Sequence, residues 1–240
     1  MTPSGEAPGR GWFITIEGPE GAGKTTHAAR LEAHLREAGV GVVGTREPGG
    51  TALGERIRDL LLEVAGSHDD AGRRGHDPLA DALLFNAARR QLVEEVIRPA
   101  LRDGTTVVCA RFADSTVAYQ GYGAGLPIDD LRALEVVATS GLRPDLTVLL
   151  DLPPEVGLRR KGPDDQTRFE LSFDLEFHRR VRAGFLDLAA REPERFIVVD
   201  ATASPNHAWE EVRQAVDRLV GIGGGDAADE PERAAPRIIG

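Results

Sequence analysis

Five short apolar runs punctuate the chain, at 12–16, 40–45, 105–110, 146–150 and 196–199. Each is followed by a longer stretch whose apolar positions recur every three to four residues, the period of an amphipathic helix. The third and fourth runs are nearly continuous in apolar character, as strands are when a parallel sheet is covered on both faces. A helix is predicted over 24–37, with Ala28, Leu31 and Leu35 on one face and Ala38-Gly39 ending it. A second helix carries Leu53, Ile57, Leu60 and Leu61. Pro78 opens a long helix over 79–101, with Phe85, Ala88, Leu92, Val96 and Ile97 on it and Pro99 near its end. Further helices are predicted over 129–139, from Pro153, over 169–190 and over 205–220.

Strands alternating with helices predict an α/β fold with a doubly wound, five-stranded parallel sheet. The pattern places one domain at 11–220. The Gly/Pro/Ser-rich stretch 1–10 and the Gly/Ala/acidic stretch 221–240 read as disordered tails, and 66–77 as a polar loop. In such sheets ligands bind beyond the C-terminal strand ends. The informative segments are therefore 18–25, 46–51, 111–120 and 159–168.

Composition narrows the classes. The net charge is −10, which disfavours nucleic acid and anionic membrane as partners. No apolar stretch approaches the length of a membrane span, and residues 1–10 lack the apolar core of a secretory signal. Cys109 is the only cysteine, so no internal disulfide forms and a reducing, cytoplasmic setting is expected. Its place inside an apolar run reads as a buried, inert thiol.

The chemistry begins at Gly18-Pro19-Glu20-Gly21-Ala22-Gly23-Lys24-Thr25-Thr26, between the first strand and the first helix. Two glycines followed by Lys and Thr at this spacing form a phosphate-cradling loop. Glycines let successive N–H groups turn toward phosphate oxygens, and the helix N-terminus adds partial positive charge. Lys24 reaches the outer phosphates, and the Thr25 hydroxyl is a Mg²⁺ ligand. Of 29 basic residues, only Lys24 and Lys161 are lysine. The chain thus keeps a compact, flexible ammonium at this position.

The other strand-end segments carry arginine: Arg46, Arg111, and Arg159, Arg160 and Arg168, with Arg89 on the long helix. Converging guanidinium groups suit a reaction in which two phosphorylated molecules meet. No Asn/Thr-Lys-x-Asp guanine-reading motif is present, which disfavours a GTPase.

Taken together, several strings resemble bacterial thymidylate kinase: Gly18 to Thr26, Thr45-Arg46-Glu47-Pro48-Gly49-Gly50-Thr51, Leu84-Phe85 through Arg89, Arg111-Phe112-x-Asp114-Ser115-Thr116-x-Ala118-Tyr119-Gln120-Gly121, Arg143-Pro144-Asp145-Leu146-Thr147 and Arg168-Phe169-Glu170. The resemblance spans nearly all of 12–220. It implies a P-loop nucleoside monophosphate kinase fold and transfer of the γ-phosphoryl of ATP to dTMP with Mg²⁺. It implies that Lys24 and the loop amides hold the ATP phosphates and that Glu20 faces the acceptor's sugar and magnesium. Phe85 would stack on thymine, although the same ring fits the apolar side of its helix. Arg89 would hydrogen-bond the base, and Thr116, Tyr119 and Gln120 would line its pocket. Arg46 and Arg111 would clamp the acceptor phosphate. The stretch 159–168 would form a lid, bringing Arg160 and Arg168 to the transferring phosphoryl. A homodimer packed through helices is implied as well.

Three positions depart from the family pattern. Ala110 stands where an aspartate precedes the arginine, Thr167 replaces an aspartate in the lid, and Ala124 replaces an arginine in a Gly-rich loop. Three readings stay open. Another carboxylate serves the metal, drawn from Glu20, Glu47, Asp114 and Asp151. The chain acts on another pyrimidine deoxynucleotide. Or it is a weakly active, nucleotide-binding paralogue.

Overall fold

The computed structural model describes residues 9–62, 77–161 and 173–222. Five parallel strands are ordered β2-β3-β1-β4-β5: β1 Phe13–Glu17, β2 Val42–Arg46, β3 Thr106–Ala110, β4 Leu146–Asp151 and β5 Phe196–Asp200. β1 is central, pairing Ile16 with Ala110 of β3 and with Val148 of β4. Because sequence neighbours β1 and β2 are separated by β3, the chain reverses its winding at β1. A crevice opens there beyond the strand ends.

Alternation along the strands sorts the core into two faces. On one, Ile14, Ile16, Val108, Val148 and Leu150 pack with Leu31 and Leu35 of α1 (Lys24–Glu37) and with Trp209, Val212 and Val216 of α9 (Pro205–Val220). On the other, Phe13, Val107 and Cys109 meet Leu92, Val93 and Ile97. Leu149 and Phe196 meet Phe185 and Leu188 of α8 (Leu175–Arg191). Fully buried aliphatic side chains such as Leu31 and Ile97 each contribute roughly 1.5–3 kcal/mol.

α1 and α9 occupy the predicted ranges. α2 (Ala52–Leu62) buries Ile57 and Leu61 but leaves Leu53 and Leu60 exposed, so its apolar face is only partly core. The long helix is not uniform. α3 (Pro78–Leu92) continues through a π turn at Val93–Ile97 into α4 (Arg98–Arg102). Pro99 explains the widening, because its ring would crowd the carbonyl of Glu95 in a regular α-turn. α6 (Ile128–Thr139) and α7 (Pro154–Arg160) lie near their predicted positions.

One segment expected as a strand-end loop is helical. Residues 113–116 form the short α5 (Ala113–Thr116), which runs into a π-helical turn at Val117–Gly123. Its buried polar side chains Asp114, Thr116 and Gln120 hide the helical periodicity in the sequence. The loop at 66–77, apart from Asp77, lies outside the described residues, as do 162–168 of the lid stretch with Arg168 and Thr167, 169–172 of the predicted helix, and nearly all of both tails. Among the described residues no helix is long and apolar enough to cross a membrane.

Candidate active site

The loop after β1 is shaped by backbone contact. Gly23 (φ 87°) caps α1 in the left-handed region, where a side chain would be strained. A Cβ on Gly21 would come within 2.0 Å of the Gly157 carbonyl oxygen, and one on Gly157 equally close to that of Glu20. The phosphate loop and α7 therefore touch backbone to backbone, which brings Arg160 and Lys161 beside the loop. Lys24 is buried, its Nζ donating to the carbonyls of Gly18 (2.9 Å) and Pro19 (2.6 Å). Burial, with the nearby Arg111 charge, lowers its pKa to about 7.

A crevice of about 580 Å³ joins this loop to a second set of side chains. Glu20, Lys24, Thr25, Thr26, Arg160 and Lys161 line it together with Phe85, Arg89, Arg111, Thr116, Tyr119 and Gln120. Glu20 Oε1 accepts from Arg111 Nη2 (2.5 Å) and from the Tyr119 hydroxyl (2.8 Å), while Lys161 Nζ lies 3.2 Å from its Oε2. Burial alone would raise the Glu20 pKa. The charges of Arg111, Lys24 and Lys161 outweigh it and hold the carboxyl well below the usual range.

Arg111 has a left-handed backbone (φ 69°), rare outside glycine and found where surrounding structure over-determines it. Its N–H donates to the Ile16 carbonyl, and the Cys109 thiol donates to its carbonyl. Burial pushes that thiol's pKa well up, in keeping with the inert cysteine read from the sequence. Phe85 is half-buried, packed against two core clusters while facing the crevice. Arg89, 1% exposed, is fixed by a bidentate pair with Glu47 and by bonds to Asn86, Thr116 and the Phe112 carbonyl.

Not every expected residue converges. Arg46 is exposed, paired with Glu55 at 2.9 Å, and does not line the crevice. Arg58, which the sequence reading passed over, lines it instead and donates to the Pro48 carbonyl. It sits on α2 between the buried Ile57 and Leu61, and no local motif marks it. Gly18, Pro19 and Ala22 form the loop's buried underside, outside the lining. Glu17 was also missed. It is fully buried at the end of β1 and accepts from the Phe112 and Ser115 amides and the Ser115 hydroxyl. Burial, reinforced by Asp114, raises its pKa to about 7.

The carboxylates considered as substitutes at the metal are mostly engaged. Glu47 holds Arg89, Asp114 is paired bidentately with Arg195, and Asp151 is paired with Arg182. Among the described residues no cluster of three or more His, Cys, Asp or Glu is arranged for a metal. Thr25, exposed in the crevice wall, supplies one hard oxygen donor. This fits a magnesium ion held chiefly by substrate phosphates and water.

A sequence model of the family "Thymidylate kinase" matches residues 16–212. A thymidylate kinase from Deinococcus radiodurans is 53% identical over 207 residues, covering 86% of this chain and 97% of that protein. One from Thermomicrobium roseum is 52% identical over 212 residues, covering 86% and 97%. The crystal structure of thymidylate kinase from Ehrlichia chaffeensis superposes with a TM-score of 0.69 at 36% identity, covering 87% of this chain and all of that one.

Proposed function

The chain belongs to the thymidylate kinase family, and from that premise we propose that it transfers the γ-phosphoryl of ATP to dTMP in the crevice at the end of β1. The observation that carries this reading is the continuity of that crevice. One wall holds Lys24, Thr25 and Thr26, the other holds Phe85, Thr116, Tyr119 and Gln120, and Arg111 belongs to the same lining.

Phosphoryl transfer demands positioning and charge neutralisation more than covalent help from the protein. The loop amides and Lys24 bind the donor phosphates, and Arg160 and Lys161 approach them from α7. Arg111 and Arg58 clamp the acceptor phosphate, with Arg58 in the place first given to Arg46. Phe85 offers a ring face to the base. Arg89, held by Glu47, orients Thr116 beneath it. Glu20 places a negative charge between Arg111 and Lys161 and keeps both aimed into the crevice. Magnesium, held by the Thr25 hydroxyl and phosphate oxygens, would supply charge neutralisation as the phosphoryl moves.

A second copy of the chain is the proposed partner. Leu53 and Leu60 of α2, Leu79 and Leu83 of α3, and Val136 and Val137 of α6 are all exposed, and α3 packs against both other helices. Sedimentation of wild type against Leu83→Asp tests that pairing, with monomer expected for the variant.

The deciding experiment is a coupled kinase assay with ATP and Mg²⁺ across dTMP, dUMP and dCMP. Preference for dTMP supports the reading. Preference for another pyrimidine, or tight dTMP binding without turnover, would replace it.

A further inference from the structure

α5 begins at a residue that has no means of capping it. Phe112 occupies the N-cap position and its side chain makes no cap bond. The first amides of a helix need an acceptor, which a Ser, Thr, Asp or Asn at the N-cap ordinarily provides. Here the acceptor comes from another strand. Glu17 Oε1 lies 2.7 Å from the Phe112 amide nitrogen and 3.3 Å from that of Ser115. Glu17 Oε2 accepts the Ser115 hydroxyl at 2.6 Å. The Ser115 hydroxyl oxygen in turn accepts from Arg111 Nη1 at 3.2 Å.

The residue just ahead of this cap is Arg111, in its left-handed conformation. Its backbone is pinned on one side by the Ile16 carbonyl, one residue before Glu17, and on the other by the Cys109 thiol. Its guanidinium is pinned by Ser115 through Nη1 and by Glu20 through Nη2. Glu17 itself makes no hydrogen bond to Arg111 and does not line the crevice.

We infer that Glu17, acting through Ser115, is a positioning residue for Arg111: it caps α5 from β1, anchors the strained corner at 111–112, and presents the guanidinium to the acceptor phosphate. This inference rests on the proposed role of Arg111 as the phosphate clamp. It also separates Glu17 from the missing aspartate at 110. Alternation puts Ala110 on the face of Ile16 and Val108, covered by α1, whereas Glu17 faces α5 on the opposite side. Glu17 therefore aims an arginine and does not replace the lost carboxylate.

The test is calorimetric binding of dTMP and of thymidine, which lacks the phosphate, to the full-length protein and its variants, with melting temperatures recorded for each. Arg111→Ala is expected to weaken dTMP binding about tenfold or more and to leave thymidine within about twofold. Ser115→Ala and Glu17→Gln are expected to reproduce that phosphate-specific loss, about fivefold to tenfold. Ser115→Thr, which keeps the hydroxyl, is expected to restore wild-type affinity. The Arg111→Ala/Ser115→Ala double variant is expected to bind dTMP no worse than Arg111→Ala alone. If Arg111→Ala loses dTMP affinity while Ser115→Ala and Glu17→Gln do not, the positioning role is wrong and the clamp stands. If Arg111→Ala binds dTMP normally, the clamp itself is wrong. Equal losses for dTMP and thymidine in Ser115→Ala would mean a merely structural effect and overturn the inference. Should Glu17→Gln fail to fold, the Ser115 pair decides alone.

Discussion

Arg89 and Glu47, 42 residues apart in sequence, form a buried bidentate pair in which Nε and Nη2 of the arginine lie 2.9 and 2.8 Å from the same carboxylate oxygen. Both side chains are nearly inaccessible, at 1% and 4%. Burial raises the Glu47 pKa, and Arg89 opposes that shift. Removing one member leaves the other charged and buried. Arg89→Met is therefore expected to destabilise the fold by about 3–5 kcal/mol, measured by urea denaturation. Because Arg89 also lines the crevice, its kinetic effect is interpretable only after that loss is measured. A variant as stable as wild type would show that Glu47 is not left as an uncompensated buried charge when Arg89 is removed.

Lys24→Ala is expected to lower kcat by roughly 10²–10³-fold or more while circular dichroism stays native. Lys24 Nζ bonds the carbonyls of Gly18 and Pro19, within its own loop, so its removal disturbs the core little. Near-normal turnover would remove the phosphate loop from the mechanism.

Ala110→Asp introduces the carboxylate that the resemblance leads one to expect before Arg111. It would stand on the α1 face, beside Ile16 and one step from the phosphate loop. An increase in kcat is expected, with a stability loss of about 1–3 kcal/mol because residue 110 is 6% exposed. Steady-state kinetics and thermal melts measure the two effects. Unchanged or lower kcat would show that the wild-type site already compensates.

Glu17 links stability to pH with a defined sign. Its folded pKa of about 7 lies above its ordinary value of 4.5, so between those values the folded state binds the proton that the unfolded state has released. Its contribution is fully present below pH 4.5 and is lost as pH rises through 7, amounting to about 3 kcal/mol at most. Between pH 5 and 7, the wild-type Tm is expected to fall relative to that of Glu17→Gln. Parallel Tm profiles across that window would contradict the raised pKa.

The sequence by itself determined whatever is encoded in local spacing. The five strands, the range of α1 and the phosphate loop follow from apolar period and glycine placement, because strand, turn and helix N-terminus are set by neighbouring residues. The short strings around Phe85, Arg111 and Tyr119 carried the family. Four features waited for the tertiary structure. Strand pairing and helix packing place Glu17 under α5, 98 residues from Ser115, and no local cap signal at Phe112 announces it. Helix packing turns Arg58 into the crevice and leaves Arg46 outside with Glu55. The polar side chains of 113–123 disguised a buried helical segment. The side chain of residue 110 falls on the α1 face, opposite Glu17, only because parallel pairing fixes which pleat each residue occupies. Residue type and spacing specify the chemistry available, but register and packing decide which groups meet.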